Sequence, residues 1–378
     1  MRSTLITGAS GFAGRALLRR LGAVTEPRTI YCLARKQAEA GARAGLRSAV
    51  PGDDVTSASV QYVTGDLSEP ASYEACLRQV DTVVHLAATT GKAEREEYFR
   101  VNAEGTRALV ERCRAAGVQR FLHVSTIAVK FPDTRRYYYA QSKQQAEEAV
   151  RASGLRWTIV RPTILAGRGS PVLAGMAKLA DLPVMPMFGD GRTAIQPVDV
   201  DDFAAFLAAL VENDAFEGET IECGGADVIA MEDFMRKLAR ARKGREPRVM
   251  HVPLGLVIPV LSLLEPVLGT RLPVTVGQLS SFRFDGTAAA HPRAKQLWPR
   301  RKSVEEMLAE SGAEANEVGL GSARALQDAG LSGFRPDELH RATGLQKSEK
   351  AGAASVSGGD AHVERQSEAE LGRECAVF

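Results

Sequence analysis

The run Tyr137-Tyr138-Tyr139-Ala140-Gln141-Ser142-Lys143 places a phenol and an ammonium four residues apart, at Tyr139 and Lys143. On a helix, positions i and i+4 share a face, so both groups can point at one bound molecule. A free phenol titrates at about pH 10, too high for proton transfer at neutral pH, and a neighbouring positive charge favours the phenolate. Upstream, an apolar run ends Val124-Ser125-Thr126. A hydroxyl there can hydrogen-bond a substrate oxygen and steady the charge that develops on it. Tyr139, Lys143 and a hydroxyl from Thr126 or its rival Ser125 form a candidate acid/base set.

A second cluster lies at the amino end, where Leu5-Ile6-Thr7 runs into Gly8-Ala9-Ser10-Gly11-Phe12-Ala13-Gly14 and then a helical pattern from Arg15 to Leu21. Glycine is needed where a strand-to-helix turn is tight, where backbone approaches a pyrophosphate, and where the helix packs on the strand. The free N–H groups of the helix start then face the phosphates. A glycine triplet alone is weak, but its place after a first strand and before a helix predicts a dinucleotide site. The second apolar run ends Leu33-Ala34-Arg35-Lys36 with no acid to hold a ribose 2′-hydroxyl. An arginine at that place pairs with a 2′-phosphate, so Arg35 favours NADP(H) over NAD(H).

The elements that must hold these groups repeat along the first half. Short β-branched runs at Thr4–Thr7, Thr29–Ala34, Val60–Thr64, Thr82–Leu86, Phe121–Ser125 and Trp157–Pro162 alternate with helical stretches such as Gly14–Leu21 and Thr106–Ala116. Runs apolar on both faces and separated by helices predict an α/β fold with a Rossmann-type doubly wound parallel sheet, its ligands bound beyond the strand carboxyl ends. The predicted organisation is a nucleotide-binding domain over 1–165, a smaller α/β substrate-side region over 166–310, and a tail over 311–378 too poor in large apolar residues to fold.

These motifs, in this order, resemble the short-chain dehydrogenase/reductase superfamily in its extended or atypical form. The resemblance rests on TGASGFAG at 7–14, Gly65-Asp66-Leu67, Val83-Val84-His85-Leu86-Ala87-Ala88, Asn102 with Gly105-Thr106, and the Tyr139/Lys143 pair, and it covers about residues 3–205. It implies that Gly8, Ser10, Gly11, Phe12 and Gly14 cradle the cofactor, that Asp66 and Leu67 border its adenine, and that Ala87, Ala88 and Thr89 lie against it. Pro162 is placed beside the nicotinamide, Tyr139 as acid/base, Thr126 as the hydroxyl partner, and Lys143 on the nicotinamide ribose. The elements Phe188-Gly189-Asp190-Gly191 and Gln196-Pro197-Val198-Asp199 belong to the same pattern. The second half looks most like the branch of the dinucleotide-binding accessory subunit of complex I, where the nucleotide serves structure. The implied activity is hydride transfer between NADP(H) and a carbonyl or alcohol carbon. A nucleotide-sugar epimerase and a non-catalytic NADP(H)-binding assembly subunit are the alternatives. Only twelve residues separate Thr126 from Tyr139, and Ile127-Ala128 replaces the acidic pair of sugar dehydratases, so dehydration loses ground.

Composition excludes other classes. Lys+Arg 48 against Asp+Glu 46 leaves a charge of +2, without the basic excess of a nucleic-acid binder. Five scattered cysteines form neither a disulfide framework nor a zinc site, and the chain reads as cytoplasmic, with no leader pattern after Met1-Arg2. Asp201 and Asp202 lack partner ligands and read as helix caps, so no metal is expected. The uncharged stretch Val252–Leu264 is too short to span a bilayer, and the apolar Val252–Leu268 reads as a buried core helix, with the lining of an apolar substrate pocket or docking on a membrane as its other readings. Basic clusters at 236–245 and 300–302 read as solvated helix ends. The terminal Cys375-Ala376-Val377-Phe378 fits a prenylation pattern, though the residues before it are acidic. The expected partner is a small-molecule substrate. Oligomeric state is open.

Overall fold

The computed structural model describes residues 2–23, 28–35, 58–272, 274–298 and 300–311. The prediction for 311–378, including Cys375, lies outside the described residues but for Ser311. All six apolar runs are strands: β1 (Arg2–Thr7), β2 (Arg28–Ala34), β3 (Ala58–Thr64), β4 (Thr82–His85), β5 (Arg120–Val124) and β6 (Arg156–Pro162). Four short strands follow, β7 (Leu165–Ala166), β8 (Val184–Phe188), β9 (Ala194–Ile195) and β10 (Val198–Asp199). Then come β11 (Glu219–Cys223), β12 (Ile229–Ala230) and β13 (Arg248–Val252). The longer helices are α1 (Phe12–Gly22), α2 (Gly105–Ala116), α3 (Tyr138–Arg151), α4 (Pro171–Ala180), α5 (Val200–Glu212), α6 (Met231–Lys243) and α7 (Leu254–Leu268).

The central sheet is wholly parallel, in the order β11-β6-β5-β4-β1-β2-β3. Strand direction of growth reverses between β1 and β4, and this switch point opens the crevice in which such sheets bind ligands. Every residue of β4 and β5 is buried, because helices cover both faces and no strand position meets water. On one face Leu17, Leu18 and Leu21 of α1 pack with Phe203, Phe206 and Leu207 of α5. On the other, Leu109, Val110 and Cys113 of α2 and Val150 of α3 pack with Leu5, Val83, Phe121 and Ile159. Each such side chain contributes about 1.5–3 kcal/mol, so the layers fix where the strand ends point.

A further cluster of Met176, Met185, Met187, Phe234, Leu238, Phe282 and Met307 gathers α4, α6, β8 and the 304–311 helix in the second half. The parallel pairs β8–β13 and β7–β10 and the antiparallel pair β9–β12 tie this region together.

Three expectations are corrected here. Asp201 and Asp202 do not cap α5; Asp199 does, its carboxylate accepting from the backbone N–H groups of both. The 236–245 cluster is not simply solvated. Arg242 forks onto Asp181 at 2.7 and 3.0 Å, Arg236 pairs with Glu232 at 2.7 Å, and Lys237 and Arg240 pair with Glu305 and Glu246. Finally, α7 is not a buried core helix: Leu256, Val260, Leu263 and Val267 are 69%, 57%, 77% and 81% exposed.

Asp199 is buried, caps α5 and holds Lys302 Nζ at 3.2 Å. Asp199→Ala is expected to cost about 2 kcal/mol, the upper end for loss of a cap. A urea melt unchanged within error would contradict this.

Candidate active site

The glycine loop is shaped by close approach. Gly8 has φ +73, and a Cβ there would stand 2.6 Å from the Ala87 nitrogen; one on Gly14 would stand 2.2 Å from the Gly8 oxygen. Contacts that short are impossible, so only glycine lets β1, the start of α1 and the end of β4 meet. Gly11 N donates to Gly8 O at 3.0 Å and closes the turn. Gly11 caps α1 with no side-chain acceptor, and the first turn holds no acid. Among the described residues no cap side chain or first-turn acid meets the leading N–H groups of α1, and the helix dipole adds positive potential there. A pyrophosphate supplies what this end lacks, so the residues present fit a dinucleotide.

A chain of buried polar groups joins this loop to the helix carrying Tyr139. Thr7 Oγ1 accepts from Ala87 N at 3.2 Å and donates to His85 Nδ1 at 2.7 Å. His85 Nε2 then donates to Thr106 Oγ1 at 2.9 Å, because the Thr106 hydroxyl proton is used on Asn102 O at 2.6 Å. Burial pushes His85 down to about 3, with the Lys143 charge adding to it, so the ring is neutral as this chain requires. Asn102 grips the backbone of Thr89 at both ends, 2.8 and 3.0 Å, and donates to Ser142 Oγ at 3.0 Å. Ser142 in turn donates to the Tyr139 carbonyl at 2.8 Å.

Tyr139, Lys143 and Thr126 line one cavity of about 330 Å³ together with Gly8, Gly11, Phe12 and Gly14. Burial pushes the Tyr139 phenol up to about 12, and a hydrogen bond with Thr126 opposes the rise. The downward shift expected from the Lys143 ammonium is not among the causes; desolvation sets the direction and only the Thr126 hydrogen bond works against it. Burial also pushes Lys143 down to about 8, with Glu147 one turn along α3 working against it. Lys143 Nζ donates to Val124 O at 2.7 Å. Glu147 is itself buried, held in its ionised form against desolvation by Arg161 at 2.6 and 2.8 Å and by Arg151 at 2.8 Å.

Of the residues singled out in the sequence, Ala88 and Pro162 also line the cavity. Ser10, Arg35, Asp66, Leu67, Ala87 and Thr89 do not. Leu67 is buried and packs in the core with Leu109 and Val110 of α2. Arg35 is exposed at the end of β2 and lies near Asp66. Burial opposes ionisation of Asp66, but two hydrogen bonds from Ser68 together with Arg35 and Arg100 outweigh it and keep the carboxyl below its usual range. Ser125 borders the cavity too, but is buried where its rival Thr126 is half-buried. Sequence reasoning missed Phe131, Tyr137, Val172, Ser281 and Phe284, which complete the wall from distant segments. Tyr137 stands beside Tyr139 in the tyrosine run, a local signal that a second ring would flank the first.

With this geometry in hand, comparison with known proteins assigns a class. Residues 4–224 match the NAD dependent epimerase/dehydratase family, and the chain belongs to that family. It is thereby an NAD(P)-dependent oxidoreductase or epimerase, of the extended short-chain type. It is 32% identical over 253 residues to a ceramide reductase of Caulobacter vibrioides, covering 66% of this chain and 73% of the relative. It is 26% identical over 262 residues to a 2-alkyl-3-oxoalkanoate reductase of Stenotrophomonas maltophilia, covering 63% and 74%. Its fold is similar to a UDP-glucuronic acid 4-epimerase from Bacillus cereus solved with UDP-glucuronic acid and NAD, with TM-score 0.63, 18% identity, and 84% and 99% of the two chains covered.

Lys143 carries a checkable cost. Its folded pKa lies below the unfolded value, so charging it opposes folding: the penalty is full below pH 8, and stability recovers as pH rises from about 8 toward 10.5. Lys143→Met is expected to raise unfolding free energy at pH 7 by on the order of 2 kcal/mol, a gain that shrinks toward pH 10. Equal or lower stability of the variant at pH 7 would contradict the assignment.

Proposed function

We propose that the chain reduces a carbonyl group on a largely apolar molecule with NADPH, or runs the reverse oxidation, using Tyr139, Thr126 and Lys143. The observation that carries the reading is the make-up of the cavity: among the described lining residues Lys143 is the one charged side chain, and Phe131, Ile164, Val172, Ile195 and Phe284 form much of the rest. A nucleotide-sugar epimerase must hold a second diphosphate in its substrate half, where arginine or lysine is the usual strong partner and the described lining offers none besides Lys143. The names of the two reductase relatives, a ceramide reductase and a 2-alkyl-3-oxoalkanoate reductase, support an apolar carbonyl substrate.

The glycine loop and the start of α1 would hold the dinucleotide, with Pro162 beside its nicotinamide and Lys143 on the adjoining ribose. When bound, the nicotinamide supplies or accepts the hydride. Tyr139 gives its phenolic proton to the substrate oxygen as that oxygen gains charge. A phenol held up to about 12 remains protonated at neutral pH. It is still far more acidic than the alcohol being formed, so the transfer runs downhill. Thr126, hydrogen-bonded to Tyr139, spends its hydroxyl proton on the phenol oxygen and so aims the phenol at the substrate oxygen and steadies the phenolate left behind. The apolar wall excludes water from the reacting carbon and strengthens each of these contacts. Arg35 supports NADP(H): it is exposed just past β2, and an arginine at that point of such a fold can pair with a 2′-phosphate.

Tyr139→Phe should lower turnover of a hydrophobic ketone by about 10²–10⁴-fold while NADPH still binds, measured by its fluorescence. Retained turnover would remove Tyr139 from the chemistry, and a purely structural nucleotide would leave both variant and wild type inactive on every carbonyl tried. Arg35→Asp should weaken NADPH binding and favour NADH, read as the ratio of the two dissociation constants. An unchanged ratio would contradict the role of Arg35.

A further inference from the structure

The exposed side of α7 is built of one kind of residue. Leu256, Val260, Leu263 and Val267, at spacings of four, three and four, make a stripe along the helix, widened by exposed Leu264 and Leu268. The opposite side, Leu254, Val257, Ile258 and Leu261, packs on the core around Phe282 and Met187. The helix's one acid, Glu265, turns inward and accepts from Val276 N at 3.3 Å. No charged side chain of the helix therefore interrupts the stripe. A monomer in water does not keep such a face bare, and scattered exposure of single residues does not account for it. The strand pair leading into the helix adds exposed Met250 and Val184.

Two further observations point to what covers it. Arg245 and Arg248 before the helix and Arg271 after it are exposed, and among the described residues none has a carboxylate within ion-pair distance, unlike the paired arginines of α6. Glu94 lies beside Gly269 at the carboxyl end, so the net positive charge is concentrated before the helix's amino end. The inner side of α7 also backs onto the cavity wall, since Phe282 lies between the lining residues Ser281 and Phe284, and Lys92, next to lining residue Gly91, donates to Leu272 O at 2.8 Å just past the helix.

We infer that α7 lies flat on an anionic lipid bilayer, its leucine and valine stripe sunk among the acyl chains and Arg245, Arg248 and Arg271 on the headgroup phosphates. Fifteen residues reach about 22 Å, short of a span, and no described helix is long and apolar enough to cross. The exposed apolar side of a helix can sink about 5–10 Å into the headgroup and acyl boundary, and basic residues beside it add attraction to anionic lipid; in α7 the protein core takes the place of the polar face. One anionic surface satisfies the stripe and the arginines together, and a second copy of the chain over the stripe is the alternative that the test separates. The docking stands on the helix alone. That it brings the cavity beside the membrane that holds its substrate rests on the apolar-carbonyl reading.

The test is sedimentation of the full chain with vesicles of phosphatidylcholine, with and without phosphatidylglycerol, alongside its solution mass by light scattering. Wild type should pellet with the phosphatidylglycerol vesicles, less so at high salt and poorly with phosphatidylcholine alone. The double substitution Leu263→Asp and Val267→Asp, both on the exposed side, should stay in the supernatant with unchanged melting temperature and NADPH affinity. Wild type left in the supernatant, or a double variant that pellets equally, overturns the inference. So does a wild-type dimer that the double variant splits in the absence of lipid, which assigns the stripe to a second copy. Because no turnover is measured, failure here leaves the apolar-carbonyl reading standing.

Discussion

The site depends on a buried amide, Asn102, and the polar chain that runs through it. The glycine loop, the end of β4 with the Thr89 backbone just after it, the Asn102–Thr106 segment and the Tyr139 helix come from four separate stretches of sequence. They are held in register by hydrogen bonds that pass from Thr7 through His85 and Thr106 to Asn102 and on to Ser142. In a low-dielectric interior each link is strong when made and costly when missing, so the chain tolerates one arrangement. That is how the start of α1 and the Tyr139 phenol come to face one cavity.

The same low dielectric sets the chemistry. It raises Tyr139, lowers Lys143, and leaves Glu147, ringed by Arg151 and Arg161, as the charge that keeps Lys143 from falling further. The site is therefore costly to the fold, and the cost is met by the packed layers around the sheet. Stability lies in Leu17, Phe121, Phe206 and their neighbours; function lies where burial makes ionisation difficult.

Much of this was legible in the sequence for a physical reason. A strand buried on both faces must be an uninterrupted apolar run, and a turn admitting no Cβ must be glycine, so the six strands and the loop at Gly8–Gly14 declare themselves locally. Tyr139 and Lys143 are legible because four residues on a helix make one face. What could not be read depends on distance or direction. Phe131, Ser281 and Phe284 reach the cavity wall through contacts between remote segments. Arg242 finds Asp181 sixty-one residues away. Asp199, not Asp201 or Asp202, caps α5, a shift of two residues that acidic composition cannot resolve. The apolar run in α7 names a helix without saying which side another surface will cover.

The most direct measurement of the central claim follows the hydride. With NADPH deuterated at the nicotinamide C4 and a panel of long-chain ketones, the account predicts an alcohol carrying deuterium on its carbinol carbon, matched by cofactor oxidation and abolished when Tyr139 is phenylalanine. Cofactor that binds but never transfers its deuterium to any carbonyl, or transfers it only to and from a nucleotide sugar without net oxidation, would contradict it.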